Sequence, residues 1–227
     1  MSIKGVIFDL DGVIVDTAKF HYKGWKKLAD EIGIPFDEVK NEKLKGVNRR
    51  DSLIALLGKT PDEKTITEFC DRKNKYYLEY VATIDKKDIL PGAMDMIESI
   101  KKNPEWKQAL GSSSKNARLV LSKLNIDSYF DAIVDGSETK KAKPDPELFL
   151  TAAKRLNLSV NDVVVVEDAE SGVEAAKRGG MLCIGLGDPK ILGKADLIVK
   201  DLSFINLAKI EELFKNSKSA PADLFHK

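Results

Sequence analysis

Four short segments of the chain carry side chains capable of chemistry. Asp9 and Asp11 flank one residue in Asp9-Leu10-Asp11-Gly12, and residues two apart at a strand end can point the same way. Carboxylates that close repel, and one pKa rises unless a cation sits between them. Ser112-Ser113-Ser114-Lys115-Asn116 supplies hydroxyls, Lys143-Pro144 a cation, and Glu167-Asp168 a second acidic pair. An all-oxygen set of Asp9, Asp11, Glu167 and Asp168 favours magnesium over softer metals. That metal would screen an anionic phosphate approaching an anionic nucleophile. Lys143 and the Ser112 hydroxyl would hold phosphate oxygens as charge builds in the transition state. The chemistry suggested is phosphoryl transfer through a carboxylate.

Each segment alone has a blander reading. Asp-x-Asp is commonly a turn or a solvated strand end, and a serine run is commonly a helix N-cap region. Lys143-Pro144 could be a basic loop with Pro146 opening a helix. What those readings leave unexplained is the joint occurrence, in order, each segment following a strand.

Those strands are β-branched or apolar runs at Ile3–Phe8, Gln108–Leu110, Ala132–Val134, Val163–Val166, Leu182–Ile184 and Leu197–Val199. Val163–Val166 shows no in/out alternation, which suits a strand covered on both faces of a parallel sheet. Helical patterns fall between the runs, at Ala93–Lys102, Ala117–Leu124, Glu147–Leu156 and Ser171–Gly179. The alternation implies a doubly wound α/β fold with a parallel sheet and right-handed crossovers. Ligands of such sheets bind beyond the carboxyl ends of the strands, where all four segments lie.

Residues 16–87 break the rhythm. Only helical periodicity appears there: Trp25, Leu28, Ala29 and Ile32 share a face, as do Phe69, Lys73, Tyr76 and Tyr80. About 70 residues of helix exceed what a crossover needs. They read as an inserted helical cap, with residues 1–15 and 88–216 forming the core and 217–227 a flexible tail.

Composition bounds the function. With 37 basic against 36 acidic residues, the formal charge of +1 gives no footprint for nucleic acid. No apolar run reaches a membrane span, and the stretch Ile3–Phe8, broken by Asp9, is not expected to serve as the apolar region of a signal peptide. A cytoplasmic location is expected. Cys70 and Cys183 fit no metal spacing and read as buried thiols, with a disulfide between them left open.

The four segments together resemble the motifs of the haloacid dehalogenase superfamily of phosphotransferases: Phe8-Asp9-Leu10-Asp11-Gly12-Val13, Gly111-Ser112-Ser113-Ser114, Lys143-Pro144-Asp145-Pro146 and Val166-Glu167-Asp168-Ala169. The resemblance implies a nucleophilic Asp9, Asp11 as general acid and base, Ser112 and Lys143 as phosphate holders, and magnesium on Asp9, Glu167 and Asp168, with Asp11 usually contributing its backbone carbonyl. It also implies a mobile α-helical cap. Within that cap, Asp16–Trp25 and Lys45–Ser52 are similar to segments by which the sugar-phosphate mutases of the superfamily close over substrate. By that similarity Lys45, Gly46, Val47, Arg49 and Ser52 would contact substrate, with Arg49 on the distal phosphate. Thr17 and His21 would couple closure to Asp11 and, with Trp25, contact substrate from the cap, while Ser114, Lys115 and Asn116 would contact it from the core.

The expectation is a monomeric, magnesium-dependent isomerase that converts β-D-glucose 1-phosphate to glucose 6-phosphate through a phospho-aspartate. The nearest rival is a sugar-phosphate phosphatase sharing core and cap. A phosphonate-cleaving relative would need a Schiff-base lysine, for which Lys45 is a candidate. A non-enzymatic phospho-receiver module lacks such a cap.

Overall fold

The computed structural model describes residues 3–219, with side chains described to residue 215. Six parallel strands form one sheet: β1 (Gly5–Phe8), β2 (Lys107–Gly111), β3 (Ala132–Val134), β4 (Val163–Glu167), β5 (Leu182–Leu186) and β6 (Leu197–Val199), in the order β3-β2-β1-β4-β5-β6. The order reverses around β1, so the ends of β1, β2 and β4 meet at a topological switch point. Register places Phe8 beside Leu110 on one flank and Val166 on the other. That brings the Asp9, Ser112 and Glu167 loops to one edge.

Helices cover both faces. Val6, Phe8, Val164 and Val166 pack with α5 (Ala93–Lys102) and α6 (Ala117–Leu124). Ile7, Val163 and Val165 pack on the other face with α7 (Glu147–Leu156) and α8 (Glu170–Arg178). The pleat alternates, but both faces are apolar, which is why β4 shows no alternation in sequence. Short α9 (Pro189–Leu192) and α10 (Leu207–Ser219) complete the core. Residues 217–219 thus continue a helix rather than starting a tail, and 220–227 lie outside the described residues.

Between β1 and α5 lie α1 (Ala18–Glu31), α2 (Glu38–Glu42), α3 (Arg49–Leu57) and α4 (Glu63–Val81). Asn48 and Asp62 cap α3 and α4 through the amides of Asp51 and Thr65, satisfying donors that a helix start leaves open. Trp25, Leu28, Ala29, Phe36, Leu44, Leu53 and Ile66 form a separate core for this insertion. Its base is not detached: Phe20, Tyr77, Val81 and Ile84 belong to the same apolar cluster as Val13–Val15. Two chain crossings join insertion and sheet side by side, with Asp16 N donating to Asp88 O (2.8 Å) and Leu90 N to Ile14 O (2.9 Å). Both cysteines are free thiols, which closes the disulfide alternative. No helix among the described residues is long and apolar enough to cross a membrane.

Candidate active site

Asp9 follows β1, and its amide continues the ladder by donating to Val166 O (3.0 Å). The chain then turns sharply at Gly12, whose φ of 84° lies in the left-handed region. A Cβ there would overlap the Asp168 carboxylate, so glycine is what lets the two acidic loops approach. Lys143 is buried beside both: its ammonium donates to Asp9 Oδ1 (2.6 Å) and Glu167 Oε1 (2.5 Å). The other Glu167 oxygen accepts from the amides of Asp168 and Ala169, each at 2.9 Å.

Asp11 faces elsewhere. The Thr17 hydroxyl donates to its Oδ1, and His21 Nε2 stands 3.5 Å from the same oxygen. The second ring nitrogen of His21, Nδ1, is 2.7 Å from the Lys73 ammonium. While Lys73 is charged it can only donate, so Nδ1 then accepts and Nε2 carries the proton that faces Asp11. Nε2 is buried without a hydrogen-bond partner among the described residues.

These surroundings drive the carboxyls apart. Burial pushes Asp9 up to about 7, against the pull of Lys143 and helped by Glu167 and Asp11. Burial, with Glu167 and Asp9 close by, holds Asp168 well above the ordinary carboxylate range. For Asp11 burial is outweighed by His21 and the Thr17 hydroxyl, and its pKa falls below 3.8. Lys143 alone cannot neutralise Asp9, Glu167 and Asp168, and the next ammonium, Lys45, is 3.9 Å from Asp168. A hard cation between Asp9 and Asp168 fits this excess of buried oxygen charge.

The four residues expected to hold the metal lie at one edge of the sheet, with different partners for their side chains. No three Asp, Glu, His or Cys side chains converge as a metal site among the described residues. Asp11 is turned to Thr17 and His21, and Glu167 is engaged by Lys143 and two amides. Asp9 and Asp168 remain as the side chains that would hold the ion.

A cavity of about 440 Å³ opens above this edge, lined from the core by Asp9, Asp11, Asp168, Ser114 and Lys115. From the insertion it is lined by His21 and by Lys45, Gly46, Val47 and Arg49. Arg49 begins α3, is lowered in pKa by burial, and makes no ion pair among the described residues. Arg50 is committed to Glu63 through two bonds of 2.7 and 2.6 Å. The free guanidinium is therefore that of Arg49.

Four expected contacts lie off the cavity wall. Trp25 is buried in the core of the insertion, with the Lys73 ammonium 5.1 Å from its ring. Ser52 is 1% exposed behind Val47, and Thr17 is fully buried on Asp11. Asn116 donates to Asn74 Oδ1 at 2.8 Å instead of facing the cavity. Ser112 is also fully buried, its hydroxyl accepting from the Ser114 amide at 3.1 Å. Sequence reasoning passed over Lys73, Asp71, Thr139 and Lys140, which all line the cavity. For Lys73 a signal existed, a lysine within an aromatic helical stripe, whereas nothing in the loop of Thr139 and Lys140 marks it as a wall.

The model of the haloacid dehalogenase-like hydrolase family matches residues 3–180. The β-phosphoglucomutase of Bacillus subtilis (strain 168) is 42% identical over 215 residues, covering 92% of this chain and 95% of that protein. A phosphorylated carbohydrates phosphatase of Thermotoga maritima is 32% identical over 216 residues, covering 91% and 99%. The crystal structure of β-phosphoglucomutase from Clostridium difficile superposes with a TM-score of 0.91 at 38% identity, covering 96% of this chain and all of that one. Motif order, sheet topology and these similarities agree, and the chain belongs to the haloacid dehalogenase-like hydrolase family.

Proposed function

We propose that the chain is a β-phosphoglucomutase, converting β-D-glucose 1-phosphate to glucose 6-phosphate through phospho-Asp9 and glucose 1,6-bisphosphate. The observation that carries this reading is the two-sided cavity, with Asp9 and Asp11 contributed by the sheet edge and an unpaired Arg49 by the insertion. A sugar with phosphate at either end can place one end on Asp9 and the other toward Arg49. The similarity to the Bacillus subtilis mutase supports the same reading. Residues 16–87 act as the cap and 1–15 with 88–216 as the core; one chain supplies both walls, so a monomer suffices.

In the working enzyme Asp9 carries the phosphoryl group. Asp11 takes the proton of the sugar 6-hydroxyl as that oxygen bonds to phosphorus and the Asp9–phosphate bond breaks, giving the bisphosphate. The bisphosphate turns around and delivers its 1-phosphate to Asp9, while Asp11 returns the proton to the departing oxygen. Its lowered pKa makes Asp11 an available base, and Thr17 and His21 hold it in place. Lys143 steadies Asp9 and the phosphate oxygens gathered there. Asp9 and Asp168 would hold magnesium, which would supply the positive charge that an anionic phosphate needs beside an anionic carboxylate. Closure of the cap excludes water, which would otherwise accept the phosphoryl group.

The test follows glucose 6-phosphate and inorganic phosphate in one reaction of purified protein, magnesium and β-glucose 1-phosphate, with and without a trace of glucose 1,6-bisphosphate. The expected result is glucose 6-phosphate outpacing phosphate, with a lag that the bisphosphate removes. Stoichiometric phosphate without glucose 6-phosphate would establish instead the phosphatase reading, which the Thermotoga maritima relative favours.

A further inference from the structure

Three side-chain bridges fasten the insertion to the core at the rim of the cavity. Ser113 Oγ donates to Gly46 O at 2.7 Å, Ser171 Oγ donates to Lys45 O at 2.9 Å, and Asn116 Nδ2 donates to Asn74 Oδ1 at 2.8 Å. The two hydroxyls take successive carbonyls of one loop, the loop that continues into Val47 and Arg49. Gly46 has φ 71°, and a Cβ on it would stand 2.5 Å from Ser171 Oγ, so the loop backbone lies directly against the core. Neither hydroxyl has a part in the mechanism above. Ser171 sits in the first turn of α8, beyond Asp168, and Ser113 lies between Ser112 and Ser114.

We propose that Ser113 and Ser171 are positioning residues that latch the Lys45–Arg49 loop by its main chain and so set the partition of phospho-Asp9 between sugar and water. The inference rests on the mutase reading and adds to it the residues that protect the intermediate. Because both bonds go to backbone carbonyls, they fix the loop whatever its side chains hold. Lys45, Val47 and Arg49 are then left to meet substrate. When the loop lifts, water can take the place of the sugar hydroxyl. Its oxygen bonds to phosphorus, the Asp9–phosphate bond breaks, the proton passes to Asp11, and inorganic phosphate leaves with the Asp9 carboxylate restored. Losing one such neutral hydrogen bond shifts a closing equilibrium about fivefold, equivalent to about 1 kcal/mol. Losing both independently shifts it about 25-fold by the same reckoning.

The test compares wild type with Ser113→Ala, Ser171→Ala, the double variant and Ser171→Thr, which keeps a hydroxyl. Two quantities are read: glucose 6-phosphate formed per phosphate released from β-glucose 1-phosphate, and phosphate release from glucose 1,6-bisphosphate alone. The expected ratio of glucose 6-phosphate to phosphate drops about fivefold for each alanine and about 25-fold for the pair. Melting temperature should fall by no more than about 4–8 °C in the double variant, so every variant is folded in the assay, and Ser171→Thr should restore the ratio toward wild type. A double variant with the wild-type ratio would overturn the proposal, as would a threonine that behaves like alanine. If wild type itself yields only phosphate, the mutase reading falls while the latch stays testable. It then requires a KM for the phosphate ester raised about 25-fold in the double variant, and an unchanged KM would sink it.

Discussion

Replacing Lys73 by Met should stabilise the protein and damage catalysis. Lys73 is 2% exposed on α4. Its ammonium lies 5.1 Å from the Trp25 ring and 5.0 Å from the Tyr77 ring, and His21 is its hydrogen-bond partner. No carboxylate pairs with it among the described residues. Burial, and next the Arg49 charge, pull its pKa from 10.5 down to about 7. At about 1.36 kcal/mol per pH unit that fall is about 5 kcal/mol set against folding. The sign follows from the folded value lying below the unfolded one. The penalty is complete below about pH 7 and is relieved as pH rises toward 10.5, so stability should climb across that window.

Methionine keeps the unbranched stem and discards the charge. Part of the gain is lost with the ring contacts and the bond to His21, which leaves about 2 kcal/mol at pH 6. For a chain of this size that is about 4–8 °C in melting temperature. Thermal unfolding of both proteins between pH 6 and pH 9.5 should show the variant melting higher at pH 6 and the gap closing as pH rises. At the same time kcat should fall about tenfold, because His21 loses the partner that fixes its tautomer and with it the hold on Asp11. A variant that melts below wild type at pH 6, or a gap that does not change with pH, would refute the reasoning. The expected pair of results would make Lys73 a case of stability exchanged for an organised site, as functional residues commonly impose.

Three further outcomes follow from the site. Asp11→Ala should lower kcat about 1,000-fold in both half-reactions, and retained mutase activity would remove Asp11 from the acid/base role. Arg49→Lys should raise KM about tenfold with kcat little changed, since an ammonium cannot reproduce the two-pronged grip of a guanidinium on phosphate; a fall confined to kcat in steady-state kinetics would count against a binding role. Gly12→Ala should push Asp168 away and strain a backbone at φ 84°. The magnesium concentration for half-maximal activity should then rise about tenfold or more, since weakened metal-site support commonly costs 10–100-fold; an unchanged magnesium titration would show that Asp168 holds no metal.

The uneven legibility of this chain has a physical pattern. Strand β4 and the acidic pair at its end were readable because parallel sheets bury apolar runs and collect their chemistry at strand ends. The run Val163–Val166 and the pair Glu167-Asp168 state both facts locally. The pairing of Asp11 with Thr17 and His21 was readable only through the resemblance, and the engagement of Glu167 by Lys143, 24 residues away, was not readable at all. Trp25 and His21 show the same limit within one helix. They lie four residues apart and share a face, yet one packs into the insertion's core and the other turns to Asp11. Lys73 decides between them, since its stem runs past the indole and its ammonium meets the imidazole. Ser113 and Ser171 were least visible of all, because what they bind is backbone, and a carbonyl leaves no trace in a sequence. Residue type announces chemistry at a site, whereas the contacts that hold a cap over it are written in main-chain geometry. The alanine and threonine variants of those two serines therefore probe the part of the enzyme that motif reading cannot reach.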